Sequence, residues 1–314
     1  MQNDTPLVLS IKLSNEVPVM LVRCLPADFV ARYARPPSET TISRAISTHQ
    51  SVRELLGDLD YATLLQGSYK NDTALWDMND VDIVAVSRDL VSSHFTGAIP
   101  TNGVPWATIF SRIEQKLQSD AWYRGKWIRE DKCVRLNTGI KIDIVPAVRI
   151  GEADADPIAI YSFRSAQERK NWPRTHFDAG TTKSRRTNGA FKQTVRLFKR
   201  WVRCWFSDSK IAPSYYIECL IHAQPDATFT GDLAGDFVSI AQRVGQLVHG
   251  ISGLPRLAGD GNLLSSGEWA QLPFQQFQQT LRAATTYAYA ATIACSEQQA
   301  RASWIAAFNG QQPT

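Results

Sequence analysis

The sequence predicts an α+β fold, a mixed sheet with helices followed by a helical lobe. Three observations predict it. The first half alternates strand, strand, helix, strand, strand; the chain turns helical from about Asn188; and two strand runs, "DVDIVAV" and "IKIDIVPAV", combine apolar alternation with aspartates on one face. With 314 residues the chain can bury a substantial core, as one large domain or two packed lobes. A division near residue 180 is expected, with a core lobe over 1–180 and a helical lobe over 181–314.

Residues 7–24, "LVLSIKLSNEVPVMLVRC", read as two short strands around "SNE", the second weakened by Pro18. After "RPPSET" the segment from Thr41 to Asp58 reads as a helix capped by Ser38 with Thr40 or Thr41. "YATLLQ" is a strand, "GSYKNDTALWDMND" a turn-rich loop and "VDIVAV" a second, more buried strand. Over 106–121, Trp106, Ile109, Phe110, Ile113 and Leu117 recur at helical spacing. "CVRLN" and "IKIDIVPAV" flank Thr138-Gly139 in a hairpin-like arrangement that ends at Pro146. Beyond Asn188, Phe191, Val195, Phe198, Val202 and Trp205 mark an apolar helix face, while Lys192, Arg196, Lys199, Arg200 and Arg203 form a basic stripe. "PSYYIECLIHA" opens another helix, and a turn-rich stretch separates it from a long Ala- and Gln-rich helical tail. No internal repeat is present, which excludes a solenoid.

Apolar residues at 44% and charged residues at 20% are those of a globular protein rather than a disordered one. No window approaches the roughly 20 apolar residues that span a bilayer, so a soluble protein with no membrane partner is expected. The five cysteines are scattered without close pairs, which fits a reducing cytoplasm better than a zinc or dithiol site. From Arg164 to Arg203 twelve Lys or Arg stand against Glu168 and Asp178, so this segment meets either an anionic partner or water.

Asp80 and Asp82, at i and i+2 of a strand, project from one face, and Asp143 points away from the face of Ile140, Ile142 and Ile144. If the two strands are neighbours, three carboxylates converge, and their repulsion calls for a cation. Oxygen ligands suit Mg2+ or Mn2+, and such a cluster suits two ions clamping a triphosphate while an attacking hydroxyl displaces pyrophosphate. Twelve residues before Asp80, Gly67-Ser68 offers close backbone approach and a hydroxyl donor for a phosphate oxygen. Strand-edge acids without function are the alternative.

"GSY", "DVDIVAV" and "IKIDIVPAV" together resemble the DNA polymerase beta-type nucleotidyltransferase core, and more narrowly the bacterial cGAS/DncV-like nucleotidyltransferases, the CD-NTases. "FKQTVRLFKRW" and "IAPSYYIECLI" resemble that group's helical lobe, and "GEWAQLPFQQFQQT" resembles bacterial members more weakly. The resemblance covers about residues 40–308. It implies a polymerase beta-like core packed against a C-terminal helical lobe with the active site between them. It also implies that Asp80, Asp82 and Asp143 bind Mg2+, with Asp143 nearest the attacking hydroxyl, and that Gly67 and Ser68 hold the donor triphosphate. Lys199 would reach the phosphates, Ser214 would assist, and Tyr215 would stack on a base. Another residue of the basic stripe could replace Lys199, Ser214 also fits a helix cap, and Tyr215 also fits a core aromatic. His176, His222 and His249 lack metal-type spacing and read as structural or surface residues.

The activity that the resemblance implies is synthesis of a cyclic di- or trinucleotide from ribonucleoside triphosphates, with a separate effector binding the product in CBASS anti-phage signalling. The alternatives are a template-independent RNA polymerase or a tRNA- or protein-modifying nucleotidyltransferase, for which the basic segment would be an RNA groove, and a nucleotide-binding sensor without turnover. A nucleic-acid activator, as in animal relatives, has no zinc-binding His/Cys cluster to support it.

Overall fold

Period-two alternation of apolar side chains builds the first lobe around a sheet. In the computed structural model, residues 24–77, 80–92, 104–151 and 156–313 are described. The two N-terminal strand readings over 7–23 lie outside them, as do Met78 and Asn79 of the turn-rich loop. The elements are α1 (Ala27–Tyr33), α2 (Glu39–Leu56), β1 (Tyr61–Gln66), the single turn α3 (Gly67–Lys70), β2 (Asp80–Val91), α4 (Trp106–Ser119), β3 (Trp127–Arg129), β4 (Val134–Asn137), β5 (Lys141–Arg149), β6 (Ile158–Ser162) and β7 (Gln167–Asn171). The helical half comprises α5 (Pro173–Arg186), α6 (Ala190–Trp205), α7 (Ser214–His222), α8 (Leu233–Val244), α9 (Gln271–Ile293) and α10 (Glu297–Ala307).

The strands run β1-β2-β5-β4-β3, with β6 on the far end of β5 and β7 on β6. β2 and β5 are parallel neighbours, and the other pairs are antiparallel. One sheet face buries Val81, Ile83, Ile142 and Ile144 against Val52 and Leu56 of α2 and Phe110, Ile113 and Leu117 of α4. Apolar side chains at helical spacing meet apolar side chains at strand spacing, which is the α+β layer expected from the sequence. Ser38 caps α2 by accepting from Thr41 N–H at 3.2 Å.

Several elements differ from the sequence reading. β5 continues through Pro146 to Arg149, because pairing with β4 stops at Ile144 and pairing with β6 starts at Ala147, leaving Pro146 at the change of partner. β3, β6 and β7 were not read from the sequence; they are short, and β7 ("QERKN") has no apolar alternation to betray it. Part of the loop after β1 is the turn α3. Helix begins with α5 rather than near Asn188, where Asn188 (φ 48°) and Gly189 (φ 86°) instead break α5 from α6. The tail is two helices, interrupted before Ser296, which caps α10.

The helical lobe has its own core, in which Phe198 and Trp201 of α6, Phe237 of α8, Phe274 and Phe277 of α9, and Trp304 of α10 are buried together. Phe29, Val30 and Tyr33 of α1 join this core although they precede the sheet in sequence, and Tyr33 donates to Gln311 O at 2.7 Å. The basic stripe of α6 faces the segment linking β1 to β2 rather than open solvent. Lys192 pairs with Asp72 at 3.7 Å, Arg200 with Asp77 at 3.7 Å and Arg203 with Asp77 at 2.6 Å. Arg196 is buried, its Nε donating to Ala34 O (2.8 Å) and its Nη1 to Asp72 O (2.7 Å). Removing that guanidinium strands two carbonyls at the lobe junction. Arg196→Ala is expected to lower the unfolding free energy by about 2–4 kcal/mol, read as a lower urea midpoint with an unchanged slope.

Candidate active site

Strand register carries one polar row across four strands. Gln66 of β1 pairs with Asp82 of β2, Asp82 with Asp143 of β5, and Asp143 with Arg135 of β4, so all four lie on one face. Farther along the same face the row gives way to Val84, Val86 and Ala147, packed with Ile158. Asp80, two residues before Asp82, is exposed at the strand's start. The two strands bearing the three aspartates are thus neighbours, as their convergence requires.

Charge in this row is unevenly compensated. Arg135 holds both oxygens of Asp143, Nε to Oδ1 at 2.7 Å and Nη2 to Oδ2 at 2.9 Å, and also bonds Glu130 at 3.1 Å. Among the described residues Asp82 has no such partner. Burial, then the charges of Asp143 and Asp80, push its carboxyl up to about 7, against the weaker pull of Lys199 and Arg135. Among the described residues no three carboxylate, imidazole or thiol groups are gathered as a metal-holding set. The donor chemistry is nevertheless that of a hard cation, three carboxylates of which Asp82 is held against the repulsion of the other two. The five cysteines are free, and none supplies a competing soft site.

Gly67 fits this face for a steric reason. Its φ is +71°, and a Cβ there would stand 2.0 Å from Asp82 Oδ2. Only a residue without a side chain lets the turn close over the half-buried carboxylate. Ser68 follows, and its Oγ receives a hydrogen bond from Lys199 Nζ at 2.9 Å. Lys199 is therefore not part of an exposed stripe; its side chain is 3% exposed and pairs with Glu218 of α7 at 2.5 Å. Burial pulls the Lys199 pKa down while Glu218 opposes that pull. Burial likewise pushes Glu218 up, but Lys199 and His176 outweigh it and hold the carboxyl well below its usual range.

A cavity of about 300 Å³ opens beside these groups, with Asp80, Lys199, Arg203, Ser207, Ser209 and Ser214 among its lining. It lies between β2 of the core and α6 and α7 of the helical lobe. Ser214 occupies the first turn of α7 and makes no side-chain cap. Tyr215 does not line this cavity; its ring packs edge-on to His176 at 5.4 Å and beside Tyr216. His222 packs edge-on to Phe191 and His249 bonds Trp269 O, in keeping with structural roles.

Arg135, Glu218 and Thr73 were not singled out from the sequence, and His176 was set aside. Arg135 had a signal available, because "VRLN" runs antiparallel into "IKID" and hairpin register places Arg135 opposite Asp143. Glu218 had none, since its partners lie up to 147 residues away.

Asp82 gives stability a pH dependence of definite sign. Its folded pKa lies above the unfolded value, so its contribution is fully present below about pH 4 and lost as pH rises toward 7, by on the order of 4 kcal/mol. Urea unfolding with chelator is expected to show the wild type weakening between pH 5 and 7.5. Asp82→Asn should flatten that slope and be the more stable protein at pH 7.5.

Residues 178–289 match the family of the cGAS/DncV-like nucleotidyltransferase C-terminal helical domain. Cyclic UMP-AMP synthase of Rhodothermus marinus is 26% identical over 241 residues, covering 69% of this chain and 82% of that protein. Cyclic dipyrimidine nucleotide synthase CdnE of Legionella pneumophila is 26% identical over 230 residues, covering 64% and 77%. Among solved structures, the Rhodothermus marinus CdnE c-UMP-AMP synthase with Apcpp and Upnpp superposes with a TM-score of 0.66 at 25% identity, over 82% of this chain and 97% of that one. Escherichia coli CdnC with ATP shares the fold at a TM-score of 0.71 and 15% identity, over 91% and 98%. No helix among the described residues is long and apolar enough to cross a membrane. The helical lobe thus matches the C-terminal domain of the cGAS/DncV-like nucleotidyltransferases, and the chain as a whole is similar in sequence and fold to bacterial CD-NTases.

Proposed function

We propose that this protein joins ribonucleoside triphosphates, without a template, into a cyclic di- or trinucleotide second messenger. The observation that carries the reading is the paired carboxylate row of Asp82 and Asp143, with Asp80, two residues before Asp82, in the lining of a cavity bounded by both lobes. Relatives named as cyclic nucleotide synthases support it. Relatives at one level of identity, 26%, are named for UMP-AMP, dipyrimidine and dipurine products, so identity alone assigns no bases here.

In each transfer a ribose hydroxyl oxygen bonds to the α-phosphorus of another nucleotide. The oxygen bridging the α- and β-phosphorus leaves with the bonding pair as pyrophosphate, and the hydroxyl proton passes toward Asp143. Asp80, Asp82 and Asp143 would hold Mg2+ or Mn2+, two ions in all, supplying positive charge for the triphosphate and a more acidic attacking hydroxyl. Arg135 has Glu130 as a second partner when an Asp143 oxygen is given up. Gly67 admits the triphosphate to the backbone, Ser68 donates its hydroxyl to it, Ser214 adds a hydroxyl from the cavity wall, and Lys199 offsets its charge.

The product would act on a separate effector in CBASS anti-phage signalling, within the cytoplasm. The polymerase and nucleic-acid-modifying alternative drew on the basic segment as an RNA groove. Much of that charge is engaged inside the molecule, α6 with Asp72, Asp77 and Glu218, and Lys183 and Arg186 with Asp226.

Incubation with the four ribonucleoside triphosphates and Mg2+ or Mn2+, followed by phosphatase and mass spectrometry, is expected to leave a cyclic oligonucleotide. Asp80→Asn with Asp82→Asn should abolish product and pyrophosphate release while the melting temperature at pH 7.5 rises rather than falls, since repulsion is removed and the core is untouched. Product from that double variant would sink the assignment of the carboxylates, and nucleosides alone from the wild type would favour a macromolecular acceptor.

A further inference from the structure

We propose that a second cavity, enclosed by α2, β1, α3 and α5, binds a small organic anion, an aromatic or other apolar body that carries one carboxylate. The cavity holds about 530 Å³, within the roughly 300–1,000 Å³ of ligand pockets. His49 of α2, Thr63 and Leu65 of β1, Lys70 of α3 and Phe177 of α5 are in its lining. It shares no lining residue with the cavity beside Asp80 and Lys199.

The sheet leaves this space open. β1 is the last strand on its side and pairs with β2. Arg88 N–H donates to Asp60 O at 3.1 Å, and bonding alternates along an antiparallel pair, so Tyr61, Thr63 and Leu65 turn their backbone groups away from β2. The cavity lies at that edge, with α2 and α5 contributing its other walls.

The lining selects the chemistry of an occupant. Lys70 Nζ stands 4.1 Å from the centre of the Phe177 ring, and Lys70 forms no ion pair among the described residues, so a cation and an aromatic surface are presented together. Thr63 Oγ1 and His49 Nε2 are buried without a hydrogen-bond partner among the described residues, which native interiors seldom leave unanswered. A carboxylate accepts from both, because a hydroxyl has a proton to give and a neutral imidazole carries one N–H on either nitrogen. Burial first, then the charges of Arg53 and Lys70, hold His49 below its usual pKa against an opposing backbone contact with Thr63, so the ring is neutral at pH 7. Leu65, Pro173 and Phe177 supply apolar wall for the body of the anion. The lining sets Lys70 and Arg174 against Asp178, a balance that suits a single negative charge and not the polyanion of a triphosphate. Such an occupant touches both halves of the molecule, since Lys70 ends the turn that begins with Gly67 and Ser68, and Phe177 belongs to α5.

Saturation-transfer NMR titration of the full chain with 1-naphthoate, and with the uncharged 1-naphthalenemethanol, tests the site without any nucleotide. Naphthoate is expected to bind the wild type with a dissociation constant on the order of 1 mM, as suits a molecule of its size. Lys70→Met should weaken naphthoate about fivefold and leave the alcohol unchanged, while Asp178→Asn should tighten naphthoate about twofold. Both substituted side chains are exposed, so the melting temperature is expected to hold. Phe177→Ala should weaken both probes by removing apolar wall that they share. Should Phe177→Ala fail to fold, Phe177→Leu keeps an apolar side chain without the ring and is expected to weaken both probes in the same order. No binding of naphthoate by the wild type overturns the proposal. So does an affinity indifferent to Lys70→Met, or one indifferent to the Phe177 substitution that folds. Failure of this site leaves the nucleotidyl-transfer reading untouched, because that reading uses the other cavity.

Discussion

The buried pair of Lys199 and Glu218 is the interaction on which the site depends. Two charges taken out of water cost several kcal/mol each unless every remaining hydrogen-bonding position is filled. Here Thr73, Ser68, Asn71 and His176 fill them, and these residues come from the segment after β1 and from α5. The same contacts that make the ion pair tolerable therefore fasten the turn after β1 to the helical lobe. Arg196, Arg200 and Arg203 extend the fastening along α6 to Asp72 and Asp77. The position of Ser68 is set by a helix more than a hundred residues away in sequence.

The opposite side of the turn is set by the sheet. Gly67 has to be a glycine because Asp82 lies where a Cβ would be, and Asp82 lies there because β2 pairs antiparallel with β1 and sets Gln66 opposite Asp82. Carboxylates in adjacent strands repel, and the fold answers with Arg135 for Asp143 and with nothing comparable for Asp82. Charge compensation is incomplete at Asp82, where a bound cation would restore it, which is how functional residues commonly depart from the consistency of the remaining fold.

The sheet strands that carry the aspartates were legible because period-two alternation is a local signal, and the three aspartates followed from it. Gly67 and Ser68 were legible as a turn, though the steric reason for the glycine needed the register. The basic stripe on α6 was legible as a pattern but not as an environment: sequence shows that five cations share a helix face, and only the fold shows that Asp72, Asp77 and Glu218 face them. Lys199 was read as the member of that stripe that reaches the phosphates; the fold buries it against Glu218 at the wall of the cavity. β7 was hidden by its polar composition, and the packing of α1 into the helical core by its distance from α8 and α10 in the chain.

The cavity is built asymmetrically, and this bears on how one scaffold serves different nucleotides. One side includes Asp80 of β2 and Lys199, Val202 and Arg203 of α6, elements whose positions are fixed by cores on which the whole fold rests. Its other side includes Phe206, Ser207, Ser209 and Ala212, on the connection between α6 and α7. A change of side chain on a connecting segment disturbs few packed neighbours, whereas a change at Asp82 or Lys199 disturbs a buried charge balance. Relatives named for pyrimidine, purine and mixed products at one level of identity are what such a division allows. On the proposed reading, the triphosphate common to all substrates would meet the rigid side, and the base, which differs, would be met by the side that changes at low cost to stability.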